Sequence, residues 1–218
     1  MTDTELQPTA ATTLRRKPER GHFRREAIHS IIDEALLAHV GFVVDEQPFV
    51  IPMTYGRDGD RLFLHGSVAN RMLRALDQGV RVCVTFTLLD ALVVSRSHFH
   101  HSMNYRSVVL VGTARRVRDP EEAQRALECV VDHVIPGRSS EARPPSDAEL
   151  RQTLVLEVPI AEASAKVRAG GPVEEPDDLA NGSWGGVLPI TTTYGPPQHD
   201  GQDTRPPLPE SLASYSRP

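Results

Sequence analysis

Apolar residues follow two different spacings along the chain, and these spacings predict where helices and strands lie. Between residues 24 and 37 they recur every three or four positions, which is the period of a helix with one buried side. The apolar positions are Ala27, Ile28, Ile31, Ile32, Ala35 and Leu36. The pattern predicts an amphipathic helix ahead of the first strand.

Short apolar segments after residue 38 are typical of strands joined by tight turns. The dipeptide Asp58-Gly59 is a strong hairpin signal, because both residue types tolerate a positive φ. The predicted strands cover residues 40–44, 48–55, 61–65, 80–89 with 90–94 as an extension, 105–117, 153–158 and 164–168. Further helices are predicted from Ser67 as the N-cap to residue 76, from Asp119 as the N-cap to residue 133, and over residues 146–150.

The order of these elements predicts a mainly β fold with added helices. Hairpins connect antiparallel neighbours, whereas a doubly wound fold needs helical crossovers between its first strands. We therefore expect a closed antiparallel β-barrel of Greek-key type, with helices inserted between its strands.

Composition limits the setting in which this fold works. Residues 1–20 and 195–218 are polar or proline-rich, which predicts disordered tails around one domain over residues 21–194. The formal net charge of -5 argues against nucleic acid as a partner. No apolar run reaches the roughly 18–20 residues of a membrane span, and the first twenty residues lack the apolar region of a secretory signal. Cys83 and Cys129 lie far apart in apolar segments, as expected for reduced thiols in the cytoplasm.

The segment from Arg61 to Arg71 is the first candidate for chemistry. Gly66 relieves crowding after a predicted strand, Ser67 supplies a hydroxyl, and a guanidinium at Arg71 can hold a phosphate through two hydrogen bonds. Backbone N–H groups at a helix start also favour an anion. The alternative interpretation is a capped surface helix with a solvated arginine.

Two further segments place charge or aromatic rings at a strand. Tyr105 can flank a planar ring and Arg106 can reach an anion, or both can be polar residues at the entry of a strand. Lys166 and Arg168 alternate before a Gly-Gly pair, so they face either an anionic ligand or water.

Three histidines fall within four positions, at His98, His100 and His101. Their spacing matches no standard metal site, and no Cys-x-x-Cys pair accompanies them, so no metal centre is predicted. We interpret them as loop histidines beside a pocket, and a metal site is the alternative that we do not adopt. Nucleotide triphosphatase, Rossmann and hydrolase motifs are also missing from the sequence.

Taken in chain order, four segments resemble the pyridoxamine 5′-phosphate oxidase-related proteins, and they are most similar to the branch that contains the nitroimidazole-resistance (Nim) proteins. The segments are residues 49–55, residues 62–67 with Asn70 and Arg71, residues 104–109 with Gly112, and residues 166–170 with residues 184–189.

The resemblance implies an FMN-binding split β-barrel that forms a homodimer, with FMN in two symmetric sites at the subunit interface. The residues it implies as cofactor contacts are Pro52, Met53, Thr54, Tyr55, His65, Ser67, Asn70, Arg71, Tyr105, Arg106, Ser107 and Lys166. Ser67 and Arg71 match the family's phosphate turn. The extra arginines, tyrosines and C-terminal segment of the strict oxidases are not found, so pyridoxal phosphate synthesis is not expected.

Two functions follow from this resemblance. The first is an FMN-dependent oxidoreductase that passes electrons from a nicotinamide donor to a small acceptor, such as a nitroaromatic or a quinone. The flavin does the redox work, so no catalytic side chain is assigned. The second is a protein of the same fold that binds a flavin or a haem without turnover. Haem is considered because histidines, the usual haem ligands, occur at positions 65, 98, 100 and 101.

Overall fold

The computed structural model of the chain describes residues 4–201 and 206–216, and within them eleven strands form two antiparallel sheets. The strands are β1 (Gly21–His22), β2 (Ala38–Val44), β3 (Gln47–Met53), β4 (Gly56–Asp58), β5 (Arg61–Ser67), β6 (Arg81–Val94), β7 (Ser102–Thr113), β8 (Arg115–Arg116), β9 (Thr153–Pro159), β10 (Ala163–Arg168) and β11 (Gly186–Pro189). The helices are α1 (Arg25–Glu34), α2 (Arg71–Asp77), α3 (Pro120–Val134), α4 (Arg138–Glu141), α5 (Asp147–Gln152), α6 (Pro176–Leu179) and α7 (Glu210–Ala213). Short 3₁₀ turns cover Pro18–Arg20 and His98–His100.

The two sheets confirm the mainly β, antiparallel fold class, but they do not close into the expected barrel. The larger sheet has the order β1-β10-β7-β6-β2-β3, and β11 pairs with the far end of β6. The smaller sheet has the order β4-β5-β9-β8. Strand β3 ends the larger sheet and carries Pro48 and Pro52, which lack the N–H donors that a strand inside a sheet needs. The closed barrel of the sequence analysis is therefore corrected to an open, split arrangement.

The main core lies between the two sheets, and the buried side of α1 packs into it. Ile28, Ile31 and Ile32 of α1 are buried, as their helical spacing predicts. They belong to the same apolar cluster as Leu64 of β5 and Phe86 of β6. A smaller second cluster forms where α3 packs on the other face of β5 and β9, around Phe63, Val117, Ala126, Val130 and Val155.

The start of α2 differs from the predicted one. Strand β5 runs through Ser67, and the helix begins at Arg71. Asn70 is its N-cap, because its side-chain oxygen accepts a hydrogen bond from Leu73 N at 3.1 Å. The Ser67 hydroxyl instead accepts from Ala69 N at 3.2 Å within the connecting turn. Ser67 as the N-cap was therefore wrong, and Asn, an equally good cap, took its place.

Both terminal segments make contacts with the rest of the chain. Leu6 is buried and donates its N–H to Phe23 O at 2.8 Å, and Thr9 donates its hydroxyl to Glu162 at 2.5 Å. Near the other end, the Tyr215 hydroxyl donates to Val134 O at 3.0 Å. The division into two disordered tails and one domain stays a prediction. In the described part of the chain, no helix combines the length and apolar character that crossing a bilayer requires.

Candidate functional site

The turn between β5 and α2 places four of the predicted residues close together in the chain and in space. His65 and Ser67 lie two apart on β5, so their side chains share one face of the smaller sheet. Asn70 caps α2, and Arg71 is its first residue. The side-chain oxygen of Asn70 already accepts the capping hydrogen bond from Leu73 N, so Asn70 stabilises the turn. The structure therefore groups Ser67 and Arg71 as the side chains that can meet a ligand.

Arg71 is oriented by an aromatic ring and has no carboxylate partner in the part of the chain that the structure describes. Its guanidinium carbon lies 4.6 Å from the centre of the Phe49 ring on β3, a cation–π contact that orients the group without neutralising it. Phe49 in turn stacks on Phe42, with ring centres 5.4 Å apart. Among the described residues Arg71 forms no ion pair. An exposed, oriented and unpaired guanidinium is suited to bind a phosphate.

His65 is a neutral, half-buried imidazole. Burial lowers its pKa from the ordinary histidine value, so the ring is uncharged at neutral pH. Its buried Nδ1 has no hydrogen-bond partner in the described part of the chain. A buried polar nitrogen without a partner is rare in folded proteins, so this atom marks a place where a ligand or water completes the site.

The predicted run from Pro52 to Tyr55 divides between the surface and the core. Pro52 and Thr54 are exposed, and Met53 is half-buried. Tyr55 is fully buried, with its hydroxyl 2.5 Å from the carbonyl oxygens of both Ile32 and Ala35 at the end of α1. The structure therefore does not bring Tyr55 to the candidate site. It caps a helix from inside the core.

Tyr105, Ser107 and Lys166 share the outer face of the larger sheet. Val108 and Leu110 of β7 point into the core, so Tyr105 and Ser107, with the opposite alternation, point away from it. Lys166 is paired with Ser107 across β10 and β7 and lies on the same face. The Lys166 ammonium donates to Arg16 O at 3.4 Å, and the Ser107 hydroxyl to Lys166 O at 3.4 Å. This outer face carries the second group of predicted residues.

Arg106 points to the opposite side, where it is already bound. Its guanidinium hydrogen-bonds to Glu34 at the end of α1 and to Asp90 on β6, at 2.8 Å for the closest contact with Asp90. The hydrogen bonds to Glu34 and then to Asp90 raise its pKa further above the ordinary arginine value. The predicted contact between Arg106 and a cofactor anion has no support here, because two carboxylates occupy the group.

We expect Arg106→Met to lower stability and leave flavin binding unchanged. Glu34 and Asp90 would lose a shared guanidinium, which costs about 1–2 kcal/mol for partly exposed groups. Urea unfolding measures the loss, and Arg115→Met is the control, since Arg115 is exposed and forms no ion pair among the described residues. A variant of normal stability that has lost its flavin would instead assign Arg106 to the cofactor site.

Arg168 is a buried cation that the prediction did not include among the site residues. It is 7% exposed and donates to the side-chain oxygen of Asn104 and to Gly171 O at 3.1 Å. Burial, and then the nearby charge of Arg20, lower its pKa from the ordinary value. Its alternation with Lys166 before two glycines was the available signal, but a sequence does not show that backbone carbonyls fold back onto the guanidinium.

The three histidines at 98–101 lie at the tip of the hairpin formed by β6 and β7. His98 and His101 have ring centres 6.4 Å apart, and His100 packs on Phe99 at 5.0 Å. The described residues contain no group of three or more His, Cys, Asp or Glu side chains arranged to hold a bare metal ion.

The two open antiparallel sheets form a split-barrel fold. The family model described as pyridoxamine 5′-phosphate oxidase matches residues 24–167. The chain belongs to this family, and the predicted resemblance is confirmed. A comparison with curated proteins gave no match.

Three solved structures show how far the similarity extends. The flavocytochrome Anf3 from Azotobacter vinelandii is 36% identical with a TM-score of 0.91, over 98% of this chain and 100% of that one. The FAD and heme binding protein from Mycobacterium smegmatis is 36% identical with a TM-score of 0.86, over 91% of this chain and 98% of that one. A 5-nitroimidazole antibiotic resistance protein from Bacteroides thetaiotaomicron is 30% identical with a TM-score of 0.55, over 66% of this chain and 83% of that one. These similarities confirm the split-barrel fold class.

Proposed function

We propose that this chain is a flavin-binding electron-transfer protein that also takes up haem. The observation that carries the flavin part is the turn after β5, where Arg71 is oriented by Phe49 and left without a carboxylate. The family membership supports the same ligand, because relatives over nearly the whole chain are a flavocytochrome and a FAD- and haem-binding protein.

The flavin phosphate would be held by Ser67 and Arg71. FMN is the form implied by the family resemblance, whereas the relative from Mycobacterium smegmatis is named for FAD. Both forms carry a phosphate next to the ribityl chain, so the turn serves either. Release of the flavin by denaturation, followed by chromatography against FMN and FAD, identifies the form.

A homodimer would complete the site. The phosphate turn belongs to the smaller sheet, while Tyr105, Ser107 and Lys166 lie on the outer face of the larger one. Exposed apolar residues continue along the surface of the larger sheet, with Val50 on β3 and Leu89 on β6. Face-to-face packing of two copies would bury this surface and bring the outer face of one subunit to the phosphate turn of the other. Sedimentation velocity tests the stoichiometry.

The chemistry comes from the flavin, which when bound supplies reversible electron transfer between a donor and an acceptor. The protein residues bind and orient it. His65 stays neutral beside the turn and can donate one hydrogen bond without adding charge. The donor we propose is a nicotinamide, the acceptor a small nitroaromatic or quinone, and the location the cytoplasm.

Absorption spectroscopy of the purified full chain tests both cofactors. We expect the visible absorption bands of the oxidised flavin ring, and a separate Soret band after addition of iron protoporphyrin IX. Anaerobic bleaching of the flavin bands by NADH or NADPH distinguishes an oxidoreductase from a protein that holds flavin without turnover. A colourless protein that does not take up FMN or FAD would contradict the proposed flavin function.

A further inference from the structure

The outer half of the β6–β7 hairpin presents an exposed apolar stripe. Leu92 on β6 is paired with Met103 on β7 and with Leu188 on β11, so these three side chains lie side by side on one face. They are 38%, 49% and 57% exposed. A contiguous exposed apolar patch is a candidate contact surface for a ligand or partner.

This apolar stripe is continuous with the outer face that holds Tyr105 and Ser107. Met103, Tyr105 and Ser107 alternate along β7 and therefore point to the same side. The stripe ends at the hairpin tip, where His101 follows the 3₁₀ turn and precedes Met103 by two residues. An imidazole thus lies at the border of a flat apolar surface.

The ring of His101 is held in one tautomer. Its Nδ1 lies 2.9 Å from Ser97 O, and a carbonyl oxygen only accepts, so Nδ1 carries the proton. In the neutral ring the lone pair is then on Nε2. Nε2 of this exposed residue has no hydrogen bond within the described part of the chain. A histidine whose second nitrogen donates to a backbone carbonyl is the usual arrangement of a metal ligand.

Three histidines outside the hairpin tip lack this combination. His29 and His133 use Nε2 inside the fold, toward Asp60 at 3.0 Å and Ala35 O at 2.8 Å. The buried Nδ1 of His65 has no hydrogen-bond partner among the described residues, so no contact fixes the tautomer of that ring.

Haem needs one or two iron ligands from the protein and an apolar surface for its macrocycle. This is a smaller set of donor atoms than a bare metal ion requires.

We infer that His101 Nε2 would bind the haem iron, with the porphyrin held against the stripe of Leu92, Met103 and Leu188. The inference rests on the haem part of the proposed function and adds the residue that binds the iron. It also places the two cofactors at different parts of the fold. The haem would lie at the outer half of the β6–β7 hairpin, and the flavin phosphate at the turn after β5.

The test titrates iron protoporphyrin IX into the flavin-loaded full chain and compares His101→Ala with His98→Ala. His98 is the matched control, because it is exposed in the same turn and its ring makes no hydrogen bond to any described residue. We expect the Ala variant at 101 to lose about tenfold or more in haem affinity and to change the position of the Soret band. The control should behave as wild type, and both should keep their flavin, which shows that they are folded.

Two further variants make the assignment specific to the iron bond. His101→Gly should regain the wild-type Soret band when free imidazole is added, since imidazole can occupy the vacated ligand position. His101→Met should keep haem but raise its reduction potential, because a thioether ligand favours the reduced iron.

The possible failures are distinguishable. Wild-type haem affinity and an unchanged Soret band in His101→Ala would overturn the assignment of the ligand and leave haem binding intact. A wild-type chain that holds flavin and shows no Soret band at any haem concentration would overturn the haem part of the proposed function and this inference with it. Loss of haem in the His98 control as well would also overturn the assignment, since it would point to the turn and not to one imidazole.

Discussion

Arg71→Ala is expected to weaken binding of FMN or FAD about ten- to hundredfold. A hydrogen bond to a charged group contributes about 1.5–3 kcal/mol, and each 1.4 kcal/mol changes affinity about tenfold. The large effect is expected because the guanidinium is already oriented over Phe49, 4.6 Å from the ring centre. Quenching of flavin fluorescence during titration of the apoprotein measures the dissociation constant.

Two comparisons make this result specific to the phosphate. Riboflavin has no phosphate, so its affinity should be the same for wild type and Arg71→Ala. Arg74→Ala is the matched control, because Arg74 is an exposed arginine one turn along the same helix. Equal FMN and FAD affinities in wild type and Arg71→Ala would remove the β5–α2 turn from the flavin site.

Gly56→Ala is expected to destabilise the fold by about 2 kcal/mol or more, since a forced overlap in a packed region costs about 1–3 kcal/mol and sometimes exceeds this. A Cβ on Gly56 would lie 2.7 Å from Val130 N and 2.8 Å from Cys129 C, both backbone atoms of α3. The helix would have to move away from β4 and disturb the cluster around Phe63. Thermal unfolding should show a Tm lower by about 4–8 °C.

Gly171→Ala is the control for that experiment. An added Cβ at Gly171 has no atom within 4 Å, and the residue does not have a positive φ. Its stability should change by less than about 0.5 kcal/mol. If Gly56→Ala unfolds at the wild-type temperature, α3 does not pack on β4 as closely as described.

The helical and strand periodicities located most of the fold because they reflect burial directly. Ile28, Ile31 and Ile32 lie on one side of α1 for the same reason that their spacing is helical. Closure of the barrel could not be predicted in this way. It depends on which strand edges find partners, and the strand pattern around Pro48 and Pro52 does not show that β3 lies at an edge.

Two of the predicted site residues, Tyr55 and Arg106, lie away from the candidate site for physical reasons. Arg106 was grouped with Tyr105 and Ser107, although alternation along a strand places it on the other face, with Val108 and Leu110. Its partners Glu34 and Asp90 come from other elements, so the sequence gives no sign of them. The family resemblance implies that Tyr55 lies beside the cofactor. In the structure its hydroxyl instead donates to the carbonyl oxygens of Ile32 and Ala35, and the sequence alone does not reveal this contact.

Strand β11, which extends the sheet beside the outer half of β6, has no counterpart among the predicted strands. Strand β11 was not predicted, because four residues that include a glycine and a proline carry little strand signal. Its pairing with β6 creates the exposed stripe of Leu92, Met103 and Leu188. The sequence shows the neighbouring histidines only as a cluster. The hydrogen bond from His101 Nδ1 to Ser97 O, which distinguishes His101 from the others, is visible only in the structure.

The prolines of β3 are also expected to oppose self-assembly into fibrils. An exposed edge strand with apolar residues such as Val50 and Ile51 is a template on which further chains can add, strand by strand. Pro48 and Pro52 remove two hydrogen-bond donors from that edge. The same surface can then associate through its flat side, while growth along the edge into a cross-β stack is blocked.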